Sequence, residues 1–205
     1  QSTLIRNATM SGGTKKDMAV MELDELSFRK VLPYLTPDVI LVTNLYRDSF
    51  SRNANPDFIF NVMSHYVSPK TKLVLNADDL ISCRLAPQDA NRVYYSIGRL
   101  ADDTAEPQGI VCDLTACPVC GGKLEYDYCH LRHLGHATCK SCGFTNPEPD
   151  YELTALDREA HTFTVCERSH EGAPTHTYRY GNYSITNLYN LFSTVVVARE
   201  LGLSA

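Results

Sequence analysis

Cys117-Pro-Val-Cys120-Gly121-Gly122 and, with eighteen residues between Cys120 and the second pair, Cys139-Lys-Ser-Cys142-Gly143 form the stretch on which the reading of this chain turns. Each Cys-x-x-Cys turn presents two sulfurs to one ion. A glycine after the second cysteine lets the backbone turn tightly, with its amides aimed at the thiolates. Two such turns at this separation predict a tetrahedral zinc site built from Cys117, Cys120, Cys139 and Cys142. A site closed by four thiolates has no open position for water or substrate, so the expected zinc is structural. Two disulfides, or scattered buried thiols, are the alternative. His130, His133 and His136 lie between the two pairs. Four well-placed cysteines leave them no vacancy, and they read as surface or packing residues.

The totals bound what surrounds this knuckle. The chain has 205 residues, 43% hydrophobic and 21% charged, which is enough for one ordinary domain carrying a small insert. A formal charge of -5 argues against a general nucleic-acid binder, which needs a basic face. Eight cysteines in a chain of this length do not make a small disulfide scaffold. Cys83, Cys112, Cys129 and Cys166 read as reduced thiols, which implies a reducing compartment. There is no apolar run of transmembrane length and no signal-like start.

Outward from the knuckle, apolar runs alternate with helical spacing. Met18–Leu23, Val39–Thr43, Leu73–Leu75 and Val93–Ile97 read as buried strands. Between them, residues 26–35 and 58–66 carry helical faces, with Pro33 straining or ending the first. A short helix is expected over 80–86. This rhythm predicts an α/β fold with a mostly parallel sheet and flanking helices. Polar residues from Gly98 to Gln108 lead into the knuckle. Strands return at 151–156, 162–165 and 177–180, and an amphipathic helix from about Ser184 closes the chain, with Gly202 at its cap. The expected division is 1–110, a zinc-ribbon insert over 111–149, and 150–205.

In parallel sheets ligands sit beyond the carboxyl ends of the strands, so the polar clusters there are the candidate site. Glu22, with Asp24 and Glu25 beyond it, has the chemistry to hold Mg2+ against nucleotide phosphates, or is a solvated helix start. Arg47, Asp48 and Arg52 follow the second strand; an arginine there forks onto phosphate or carboxylate oxygens, or belongs to a mixed-charge surface loop. Asn76-Ala-Asp78-Asp79 reads equally as an N-cap or as contacts to a nucleotide. Asn187 and Asn190, poor helix-interior residues three apart, invite a ligand or a cap.

Taken together, these clusters resemble the central domain of the Mur ligases, the ATP-dependent enzymes that build peptidoglycan stem peptides, and within them the amidating MurT branch. Ala19-Val-Met-Glu22-Leu-Asp24-Glu25 is similar to that branch's AVLEVDE, Thr43-Asn44-Leu-Tyr-Arg47-Asp48 to TNxFRD, and Leu75-Asn76-Ala-Asp78-Asp79 to LNADDP. The knuckle stands where the branch carries a four-cysteine insert, His133-Leu-Gly135 is similar to its HLG, and Asn187-Leu-Tyr189-Asn190 to YNxYNA. Ser49 and Ser51 depart from the family's Gln and Asp, and Leu80 from its Pro. The resemblance implies ATP and Mg2+ as cofactors, Glu22 placing the Mg2+, and Arg47 and Asp48 ordering the active-site loop. It implies that Asn76, Asp78, Asn187 and Asn190 contact or frame the nucleotide. The implied reaction phosphorylates the α-carboxylate of D-glutamate in lipid II, and ammonia from a glutaminase partner then displaces phosphate. The implied place is the bacterial cytoplasm, at the inner face of the membrane.

The sequence contains no Gly-x-x-Gly-Lys-Thr phosphate loop. In the family that loop opens the central domain, and a C-terminal ligase domain follows it. The resemblance therefore implies a fragment of a larger ligase, inactive alone because the loop supplies the amides and lysine that hold the phosphates. Two other readings stay open: a Mur-type ligase adding an amino acid, and a non-enzymatic zinc-ribbon interaction module.

Overall fold

Three apolar runs of the first half pair side by side in a computed structural model that describes Thr9, Ser11 and residues 13–45, 56–86, 91–107, 114, 116–181 and 184–203. They are β1 (Val39–Val42), β2 (Lys72–Asn76) and β3 (Arg92–Ile97), all parallel, with Val42 opposite Leu75 and Val74 opposite Val93. β2 shows why the run is continuous rather than alternating. Leu73 and Leu75 face one core, Val74 faces the other, and all three are fully buried. A parallel strand covered on both faces has no polar side.

Two strands then leave the sheet. β4 (Leu124–Leu131) and β5 (Leu134–Cys139) form a separate antiparallel hairpin that carries the knuckle. β6 (Tyr151–Asp157) returns parallel to β3, and β7 (Thr162–Glu167) and β8 (Thr175–Arg179) follow as an antiparallel meander. The sheet order is β1-β2-β3-β6-β7-β8. The hairpin is not a free module. Leu114, Leu124 and Ala137 share one core with β2 and two helices, while Leu134 enters the other. Thr104 bridges to Cys129, so strand pairing with the hairpin begins upstream of residue 111.

Among the described residues, three α-helices flank the sheet. A 3-10 turn over Glu25–Ser27 starts at Asp24, whose carboxylate accepts the Leu26 amide, and passes into α1 (Phe28–Val31), which stops before Pro33 as its missing donor requires. α2 (Pro56–Tyr66) sets Ile59 and Met63 into the first core. α3 (Ile185–Glu200) lays Leu188, Tyr189, Phe192 and Val196 on the second. Ser184 caps its start by accepting the Asn187 amide, and Gly202, at φ 76°, turns the chain at its end. The short helix expected over 80–86 is a single 3-10 turn, Ser82–Arg84.

One expected strand is corrected. Met18–Leu23 runs as irregular chain, with Val20 90% exposed and Met18 and Met21 also exposed. An apolar run becomes a strand only when another strand accepts its hydrogen bonds. Among the described residues β1 is the sheet's edge, paired by β2 on one side. No helix among the described residues is long and apolar enough to cross a membrane.

Gly135 shows how tightly the hairpin is drawn. A Cβ there would stand 2.7 Å from the Cys129 Cα and closer still to the Tyr128 carbonyl oxygen, both backbone atoms that cannot swing aside. Gly135→Ala is expected to cost about 3 kcal/mol or more, by forced overpacking. Denaturant unfolding of the variant checks it, and a loss below 1 kcal/mol would contradict the packing described.

Candidate functional site

The four cysteine sulfurs of the knuckle all lie within 4.8 Å of one another. Cys117 Sγ is 3.8 Å from Cys142 Sγ, and Cys120 Sγ is 3.5 Å from Cys139 Sγ. Four sulfurs at the corners of a tetrahedron around zinc stand about 3.8 Å apart, given Zn–S near 2.3 Å. The two turns are built alike. Gly121 and Gly143 both sit at φ 73° and return their amides to the carbonyls of Cys117 and Cys139. The Val119 and Gly122 amides point at the sulfurs of Cys117 and Cys120. Burial opposes ionisation of Cys139, but amides of Cys142 and Ser141 and the Cys120 thiol bring it down to about 6. Gly122 lets the turns meet, since a Cβ there would stand 2.7 Å from the Ser141 Cβ. Cys83, Cys129 and Cys166 form no disulfide among the described residues.

The hairpin is bolted to the loop that follows β2. The Asn146 amide group donates to the carbonyls of Ala77, at 2.6 Å, and Gly135, at 2.9 Å, while its oxygen accepts the Ala137 amide. The Gly135 amide donates to the Asp78 carbonyl at 2.9 Å. His133 Nε2 meets Asp79 Oδ1 at 3.2 Å, both side chains fully enclosed. Asn76, Asp78 and Asp79 are buried, and their side chains are engaged within the protein. Asn76 donates to the Thr43 carbonyl and accepts the Asp78 amide. Asp78 Oδ2 accepts the Ile97 amide and the Tyr189 hydroxyl, at 2.8 and 2.7 Å. Asp79 accepts the amides of Leu45 and Ile81 as well as His133. Burial pushes both carboxyls up. For Asp78 it wins, whereas for Asp79 the His133 and backbone donors outweigh it and hold the group below the usual carboxylate range.

His130 completes the network. Nδ1 meets Asp103 Oδ1 at 2.7 Å and Nε2 meets the Ile97 carbonyl at 3.0 Å. Both ring nitrogens face acceptors, which only the doubly protonated imidazolium satisfies. Burial lowers its affinity for a proton, but the Asp103 bond and the Asp78 charge more than offset this and raise it above its ordinary value of 6.5. A raised folded value means the stabilisation is complete below 6.5 and is lost as pH climbs through the folded value. Stability is therefore expected to fall as pH rises above 6.5, and His130→Gln to flatten that slope. Denaturant midpoints across a pH series test it; an unchanged slope in the variant would refute the assignment.

The other candidates are not drawn into this network. Glu22 is exposed on the irregular stretch rather than at the end of a strand. Arg47, Asp48, Arg52 and Cys112 lie outside the described residues. Asn187 and Asn190 are exposed on the outer side of α3, while Tyr189 between them turns inward to Asp78. His130, His133 and Asn146 went unrecognised as network residues. The one local hint was the placing of His130 and His133 in an insert whose four cysteines left neither a ligand's role.

No family model matches the chain. The MurT subunit of the lipid II isoglutaminyl synthase (glutamine-hydrolyzing) of Staphylococcus aureus (strain COL) is 33% identical over 196 residues, which is 95% of this chain and 43% of that protein. The MurT subunit from Streptococcus pneumoniae (strain ATCC BAA-255 / R6) is 28% identical over 194 residues, 94% of this chain and 42% of that protein. The chain thus spans less than half the length of the curated relatives it matches. Among solved structures, a pseudomurein peptide ligase type C from Methanothermus fervidus aligns with a TM-score of 0.64 and 26% identity, over 82% of this chain and 32% of its own.

Proposed function

The chain is a homologue of the MurT subunits of lipid II isoglutaminyl synthases, and from that premise we propose that it forms part of the ATP-binding central domain of a carbon–nitrogen ligase that amidates the D-glutamate α-carboxylate of lipid II. The similarity to MurT carries this reading, because at 95% of the chain it takes in the cysteine insert as well as the sheet. Ammonia comes from a glutaminase partner, and the reaction takes place in the cytoplasm at the inner face of the membrane. The chain alone is inactive, since it has no phosphate loop.

The donor set suits the groups this reading requires. Four sulfurs at tetrahedral spacing suit a structural zinc. Mg2+, when bound, would neutralise phosphate charge as the carboxylate is phosphorylated, and an exposed carboxylate such as Glu22 is chemically suited to hold it. Asn187 and Asn190 are open to solvent and therefore to a nucleotide. Asn76 and Asp78 would frame the nucleotide rather than contact it, since their side chains hydrogen-bond within the chain. By the resemblance, Arg47 and Asp48 would order the active-site loop.

The test is amidation of lipid II by the full-length ligase with its glutaminase, followed by mass spectrometry. Glu22→Ala is expected to abolish the product, and near-normal activity would remove the Mg2+ assignment. The similarity to a pseudomurein peptide ligase favours a second reading, transfer of an amino acid rather than ammonia. Offering ammonia and free amino acids to the same enzyme separates the two. The interaction-module reading is weakened by the core that the hairpin shares with β2, which leaves that face covered.

A further inference from the structure

We propose that His133, carried by the cysteine insert, is a positioning residue for the carboxyl end of β1: it holds the Asp79 carboxylate, and Asp79 holds the Leu45 amide. The inference rests on the ligase reading only for its effect on catalysis, since the relay itself is geometric. His133 Nε2 lies 3.2 Å from Asp79 Oδ1, and the Leu45 amide donates to Asp79 Oδ2 at 2.7 Å. All three residues are buried. The insert's other grips on this loop end where they land. Gly135 and Asn146 bond to backbone carbonyls of Asp78 and Ala77, which pass nothing on. His133 ends on a side chain whose second oxygen reaches across to the residue where the chain leaves β1.

That exit is otherwise fixed from the same loop. Asn76 holds the Thr43 carbonyl at 2.8 Å. The path out of β1 is therefore set by side chains following β2, and one of these is set by the insert. In a parallel sheet this is the crevice where ligand binds. An anchored carboxylate with three donors is worth having there: it fixes an amide 34 residues away in sequence, without a covalent link. The insert is thus more than a stabilising appendage. Among the described residues, its side-chain line of contact to the exit of β1 runs through this single imidazole.

The experiment uses the full-length ligase with its partner, loaded with zinc. His133→Phe keeps the ring's bulk and removes the donor, whereas His133→Gln restores a donor. Zinc content is expected to be unchanged in both, because no sulfur is touched. In the Phe variant the Leu45 amide is expected to exchange about tenfold faster, the worth of one lost hydrogen bond. Amides of β4 and β5 are expected to keep their rates. The amidation kcat is expected to fall about tenfold with the ATP KM within about twofold, and Gln to recover most of both losses. Unchanged Leu45 exchange in the Phe variant overturns the relay, as does failure of Gln to rescue. A fast-exchanging Leu45 amide in the unmodified protein overturns it without any variant. If Leu45 responds as expected while even the unmodified enzyme makes no amide, the ligase reading falls and the relay stands.

Discussion

A Cys139→Ser chain is expected to lose its metal and, with it, on the order of 4 kcal/mol or more of stability, because binding of a structural zinc is itself folding free energy. For a chain of this size that is roughly 8–16 °C in Tm. The loss should not stay in the knuckle. Cys117 and Cys139 are buried in the same core as Leu73, Leu75 and α2, so loosening the turns uncovers apolar surface on the main sheet. Metal analysis should read about one zinc per unmodified chain and none in the variant. Thermal unfolding of each, with and without a chelator, completes the test. A chain that carries no zinc as purified, or a variant as stable as its parent, would falsify the structural role.

The second large effect lies at Asp78. Removing its carboxylate leaves the Ile97 amide and the Tyr189 hydroxyl without their acceptor, both buried. At about 1–3 kcal/mol for each unsatisfied group, plus the cavity, Asp78→Ala is expected to cost roughly 3–5 kcal/mol. Asp78→Asn tells charge from shape. Burial already pushes the Asp78 carboxyl towards its neutral form, so a neutral amide oxygen in the same place should hold both donors at little cost. Denaturant unfolding of the pair is the measurement. Equal losses in both variants would mean that the charge, and not the acceptor position, is what the site requires.

The legible parts of this molecule were those that local chemistry fixes. The cysteine turns could be read because each closes within a few residues, and the glycines behind them serve a backbone angle that a side chain resists. β1, β2 and β3 could be read because strands buried on both faces are apolar throughout. Met18–Leu23 has the same composition and is not a strand. Composition reports suitability for burial, whereas pairing depends on a neighbour that no periodicity names. The polar network failed for a related reason. Asp79 and His133 are 54 residues apart, and Asp78 and Tyr189 are 111 apart. Asn76, Asp78 and Asp79 read equally as a helix cap or as nucleotide contacts, because an acidic turn looks the same whether its partners are ligand or protein. His133 read as packing for want of a metal to bind, although a buried imidazole always needs a polar partner.

The insert interrupts the sheet between β3 and β6, so joining those two strands means closing a loop over residues 98–150. An unstructured segment of that length makes the parallel pairing a late and slow event, since its closure entropy comes due before any contact repays it. Capture of a metal by the four cysteines would change the order of events. Two local cysteine turns meeting on one ion would fold the interior of the loop first and bring its ends together. On the structural-zinc proposal, zinc supply during synthesis would then govern not only how stable the chain is but how long β3 waits as an exposed edge, open to pairing with the wrong strand.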